Sequence, residues 1–284
     1  MKIYNFIFLF AFIVFAACDK DEDLMASGQS EVEIKFDNIA IVDGVQRQLT
    51  MVSPGDTSNF DYNNAMDQPF NITLLKYYIS KIVLEGPDGA YYEDEILASA
   101  TESKGYYLID ESEESSQLIN LENVPYGKYN KITFTVGVDE SGVSEGAAAG
   151  SLDPATSAMF WNWNSGYVAM KMEGHSPVSA GGASGNTVDP SIAKGMAYHV
   201  GGWKDIDDSA FVNNVRRLSY DFDTDLSVTG EGHPNVHMVF DVISLFGGEN
   251  LIDFTGNNNV HKPSDGIPFA NNYTDAFAFD HIHQ

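Results

Sequence analysis

Apolar and polar residues alternate along most of the chain with a period of two, not 3.6. Glu31-Val32-Glu33-Ile34-Lys35-Phe36 alternates over six positions, the pattern of a strand buried on one face. Residues 72–84, rich in β-branched residues and tyrosine, predict one long strand or two broken ones, closed by the turn Gly86-Pro87-Asp88-Gly89. Short strands follow at 106–109 and 118–121 around an acidic turn, then a cleanly alternating one at 131–138. Further strands are expected at 167–173, 196–201, 215–222 and 236–244. Residues 43–69 read as loop, 139–150 as a small-residue loop and 176–190 as a Gly/Ser-rich surface excursion. A weak helical period occurs near residues 271–279. Many short strands between turn signals predict an all-β fold, an antiparallel β-sandwich of Ig-like or Greek-key type with long loops.

The aromatic centre of the pattern is the run 159–174, MFWNWNSGYVAMKMEG. Trp161 and Trp163 are two apart and share a strand face, as do Met170 and Met172, with a turn at Asn164-Ser165-Gly166 between the two arms. Aromatic surface of this size belongs first to a packed hairpin. Yet thioethers, imidazoles and an indole are also the company that copper keeps. His199 stands in the middle of the next strand, and His281 and His283 are two apart, so an extended tail presents them on one side.

The first seventeen residues change the picture of where the protein works. Lys2, an apolar run to Phe15 and then Ala16-Ala17-Cys18 predict a lipoprotein signal peptide (1–17) cleaved before an acylated Cys18. Residues 18–30 read as an acidic tether, and 31–284 as the sandwich domain. An outer-membrane lipoprotein facing the periplasm or the cell surface is expected, held to the membrane by its lipid alone. The formal net charge of −26 becomes −27 once Lys2 is lost, a field that disfavours nucleic acid and anionic lipid surfaces. No cysteine remains after position 18, so the core must hold the domain without disulfides.

Catalytic signatures add nothing. Asp221-Phe222-Asp223-Thr224-Asp225 begins like a calcium loop, but Leu226 occupies the sharp-turn position and Gly232 the bidentate glutamate position. No G-x-S-x-G elbow, H-E-x-x-H pair or phosphate loop is present. The chain is therefore expected to bind and not to turn over.

The combination Met159-Phe160-Trp161-Asn162-Trp163-Asn164-Ser165-Gly166-Tyr167, then Glu173-Gly174, then Tyr198-His199-Val200-Gly201-Gly202 resembles the MbnP-like family. So does the later order of a VHMVFDVISLF run (236–246), Ile252-Asp253-Phe254 and Ala270-Asn271-Asn272. These are copper-binding, methanobactin-associated extracytoplasmic β-domain proteins. The resemblance implies a copper cofactor held by two histidines and a tryptophan oxidised to kynurenine by a MauG-like dihaem partner enzyme. On this chain the modified residue would be Trp161 or Trp163, the best-matched ligand His199, and the second histidine His175 or His237. The W-x-H pair of some relatives is replaced here by Trp161-Asn162-Trp163. Two other readings stand beside copper. One is a surface module for glycan or protein that uses Trp161, Trp163 and Trp203 as stacking platforms, and the other is a structural lipoprotein.

Overall fold

The computed structural model describes residues 28–162, 165–180, 194–202 and 212–284. The signal peptide, Cys18, Trp163, Trp203 and most of the 176–190 excursion lie outside them. The main strands, in chain order, are β1 (Gln29–Val42), β2 (Val45–Gln48), β3 (Pro69–Glu85), β4 (Tyr106–Asp110), β5 (Leu118–Pro125) and β6 (Gly127–Val136). They continue with β7 (Phe160–Asn162), β8 (Gly166–His175), β9 (Gly195–Gly201), β10 (Arg216–Val228), β11 (Asn235–Asp241), β12 (Asn259–Val260) and β13 (Phe277–His283).

Two sheets form an all-β sandwich. The smaller runs β13-β11-β1, with β2 and β5 both pairing to β1. The larger runs β10-β6-β3-β8-β9-β12, with β4 pairing to β3 and β7 to β8. The period of two does what it predicts. On β1, Val32, Ile34 and Phe36 are buried while Glu33, Lys35 and Asp37 are not fully buried. Phe36 meets Phe134 of β6 edge-on, ring centroids 5.3 Å apart, and so ties one sheet to the other. The Tyr77 hydroxyl donates to Asn38 Oδ1 at 2.8 Å across the same interface, which satisfies the one polar side chain that β1 sends inward there.

Among the described residues, pairing is antiparallel, as expected, except at two places. β1 and β11 run parallel, as do β9 and β12. Each pair is joined by a long excursion through other elements, so no hairpin fixes its direction. Inside the expected loop 43–69, β2 and a two-residue strand Tyr62–Asn63 form. The helix starts earlier than expected, at Ile267–Ala276, and Phe277 already belongs to β13. The strand expected to reach 244 ends at Asp241, followed by a 3-10 turn at Ser244–Phe246. None of the helices among the described residues is long and apolar enough to cross a membrane.

A candidate metal centre on the outer face of the large sheet

β8 and β9 are buried on both faces, unlike β1. Met170 and Met172 of β8, with Met196, Tyr198 and Val200 of β9, enter the main core. The intervening residues Lys171, Glu173 and His199 point to the other face and are nevertheless buried. Lys171 and His199 are register partners across the antiparallel pair, which sets Glu173 diagonally beside the imidazole. His199 Nε2 lies 2.8 Å from Glu173 Oε1, and Lys171 Nζ lies 3.7 Å from the same oxygen. A carboxylate accepts, so Nε2 carries the proton and Nδ1 keeps the lone pair.

A second imidazole arrives from β12. Val260 pairs with Tyr198, so the next residue, His261, runs alongside His199, with ring centroids 4.6 Å apart. His261 Nδ1 lies 2.7 Å from the Val260 carbonyl oxygen, which fixes the proton on Nδ1. His261 Nε2 is buried and has no hydrogen-bond partner among the described residues. Two neighbouring imidazoles, one with an orphaned lone pair, make a donor set that suits copper or zinc. The His199 pKa is pushed below its ordinary value, first by burial and then by the nearby Lys171 and His261, against the opposing pull of Glu173. The Lys171 ammonium is likewise pushed down, chiefly by burial. Neutral imidazole is the metal-binding form.

Trp161 packs against Gly202, at the end of the strand that carries His199. It is half-buried against a satellite cluster of Tyr78, Tyr106, Met159, Tyr167 and Val168. The expected hairpin is present, with Phe160 opposite Tyr167 and Asn162 opposite Gly166. The Tyr167 hydroxyl accepts from the Ala148 amide at 3.1 Å and lies 2.9 Å from the carbonyls of Gly146 and Leu152, so it pins the loop before the hairpin. Gly202, three residues after His199, has φ +81°, and a Cβ there would sit 2.7 Å from Trp161 Cζ3. The indole is thus packed against the end of the histidine strand.

The other expected ligands go elsewhere. His175 pairs with Gly195, at the opposite end of β9 from Gly201. It lies four residues along β8 from the position facing His199, roughly 13 Å at strand rise. Its Nδ1 is 3.0 Å from Asn71 Oδ1. His237 is on β11 of the smaller sheet, its Nδ1 2.9 Å from Asp37 Oδ2. His261 takes the place beside His199 that the sequence reading offered to these two. Nothing in its Asn-rich surroundings marked it, because the pairing of β12 with β9 is not written locally. Glu173 was visible only as part of the Glu173-Gly174 pair.

A sequence profile of the MbnP family matches residues 29–262. The chain belongs to the MbnP family. A solved structure, MbnP from Methylosinus trichosporium, aligns with a TM-score of 0.50 at 16% identity and covers 80% of each chain, a likeness of fold. No curated protein matches the chain by sequence. The family's stretch takes in β1 to His261, and so contains Trp161, Glu173, His199 and His261 together.

Proposed function

We propose that this chain is an extracytoplasmic copper-binding lipoprotein of the MbnP family, and that His199 and His261 beside Trp161 hold the metal. The observation that carries the reading is the buried, unpartnered Nε2 of His261 next to a second imidazole whose Nε2 proton is engaged by Glu173. An orphaned buried lone pair is costly unless something occupies it, and a metal ion would. Glu173 would orient His199, as carboxylates behind ligand histidines do. The unmodified indole offers only an N–H donor, so a third ligand from this hairpin calls for oxidation of Trp161, or of Trp163 outside the described residues, to kynurenine by a MauG-like dihaem partner. In this reading the protein holds copper and has no turnover of its own.

Copper titration of the mature chain tests it. His199→Ala and His261→Ala should each weaken binding by at least about tenfold, a floor taken from the loss of supporting residues at metal sites. Unchanged copper uptake in both would overturn the assignment. In natively produced protein, one tryptophan peptide should gain about 4 Da, one oxygen added and one carbon lost. Copper-loaded native protein with intact tryptophans would remove kynurenine from the proposal. The anchor is supported by the lipobox-like Ala16-Ala17-Cys18. A Cys18→Ala chain that stays as membrane-bound as the parent would refute it.

A further inference from the structure

We propose that His237, His281 and His283 form a second metal site, for a borderline divalent cation such as Zn(II) or Cu(II), on the outer face of the smaller sheet. It is separate from the His199–His261 pair and stands or falls independently of it.

β11 and β13 are antiparallel, with His237 opposite His281 and Asn235 opposite His283. His281 and His283 are two apart, so both present their rings on the side where His237 also points. One donor nitrogen from each of the three lies within 4.8 Å of the other two. His281 Nε2 and His283 Nε2 are already 3.1 Å apart. Nitrogens bound tetrahedrally at about 2.0–2.1 Å from a zinc ion are roughly 3.3 Å apart. One edge of that tetrahedron is therefore in place. The other edges close with small rotations of the exposed His281 and His283 side chains.

The outer partners point the same way. Asp37 Oδ2 accepts from His237 Nδ1 at 2.9 Å, and Asp280 Oδ2 from His281 Nδ1 at 3.0 Å. Each carboxylate fixes its imidazole with the proton on Nδ1 and the lone pair on Nε2, the arrangement found behind most metal-ligating histidines. Lys35, opposite His237 in the β1 register, is ion-paired to Asp37 Oδ1 at 2.8 Å. Three nitrogens leave a coordination position for water or an incoming ligand. The strongly acidic chain raises the local concentration of cations around it.

Titration of the mature chain with Zn(II), and separately with Co(II) as a spectroscopic probe, tests the site. This site should take up one Co(II) with the intense visible bands of a tetrahedral ion. His283→Ala removes an exposed side chain, and so leaves the fold intact; it should weaken this equivalent by about 100-fold or more, beyond the 10–100-fold of an outer-partner change. Asp37→Asn should weaken it 10–100-fold and keep the bands. His199→Ala should leave it untouched, whatever becomes of the copper reading. Equal Zn(II) uptake by the parent and by both His237→Ala and His283→Ala would overturn the proposal. So would absence of uptake at millimolar metal, which would mark the cluster as hydrogen-bonded imidazoles only.

Discussion

Acidification should destabilise this domain in a window set by two buried histidines. His175 is 1% exposed and His199 is 7% exposed, and the pKa of each is lowered, primarily by burial. Asp56 opposes the shift at His175; Glu173 opposes it at His199, where Lys171 and His261 reinforce it. Below about pH 6.5 the unfolded chain protonates both, while the fold keeps them neutral until their lower native values are reached. The unfolded state then binds more protons, so stability rises with pH through this window and falls as pH drops. Between pH 7.5 and 5.5 the loss is at most about 1.4 kcal/mol per histidine and about 2.7 kcal/mol for the pair, the limit reached if both stay neutral in the fold. Against a total of about 5–15 kcal/mol for a typical domain, this is readily measured by urea unfolding.

Carboxylates titrate as well, and a difference measurement removes their contribution. Asp94 and Glu111 are raised, chiefly by burial, so they add stability as pH falls through their native values. Asp37, Asp110 and Asp139 are lowered: burial raises each, but hydrogen bonds and lysine partners outweigh it. Their contribution is present above about pH 3.8 and disappears below it. The comparison chain carries His199→Gln and His175→Asn, because Gln places its amide where Nε2 was and Asn where Nδ1 was. The parent's loss between pH 7.5 and 5.5 should exceed that of the double variant. A gap between the two chains that does not change with pH would refute the reasoning.

Two further predictions are read at a single pH. Glu173→Ala leaves Lys171 Nζ and His199 Nε2 buried without their shared acceptor, and should cost about 3–5 kcal/mol by urea unfolding, with Glu173→Gln losing less; equal stability of parent and Ala variant would show that the ion pair is not buried as described. Phe36→Ala removes the ring that packs edge-on against Tyr77, Phe134 and Phe277 between the sheets, and should cost about 3–5 kcal/mol in thermal or urea unfolding; a loss under about 1 kcal/mol would place the core elsewhere.

The strands that the sequence predicts best are those with one wet face. On β1 the polar positions mark the outside, so Val32, Ile34 and Phe36 are assigned correctly from alternation alone. On β8 and β9 the same alternation holds, yet Lys171, Glu173 and His199 are covered as well. Alternation distinguishes two faces; it does not say that the polar one is dry. The shared side of His281 and His283 is legible because both lie on one strand. Their company with His237 is not, since it depends on the β11–β13 register across some forty residues. His261 is illegible for a similar reason. A two-residue strand in parallel with β9 has no local signal, and tertiary pairing alone gives its histidine a place.

The glycines in the family stretch serve the fold. At Gly174 the pairing of β8 with β3 shifts register, and a Cβ there would overlap the Asn71 carbonyl oxygen, so glycine lets the two backbones approach. At Gly202 the positive φ and the crowding answer one another. An added Cβ would meet Pro263 Cγ at 2.6 Å, the Trp161 ring at 2.7 Å and the Ser165 carbonyl oxygen at 3.0 Å. Neither role needs a ligand. They seat the hairpin on the end of the histidine strand by packing alone, so the proposed copper site is not what fixes this architecture. Packing alone does not account for His261, whose Nε2 it leaves buried without a hydrogen-bond partner among the described residues. Substitution at the glycines therefore reports on the sandwich, and copper titration of the His199 and His261 variants tests the proposed site.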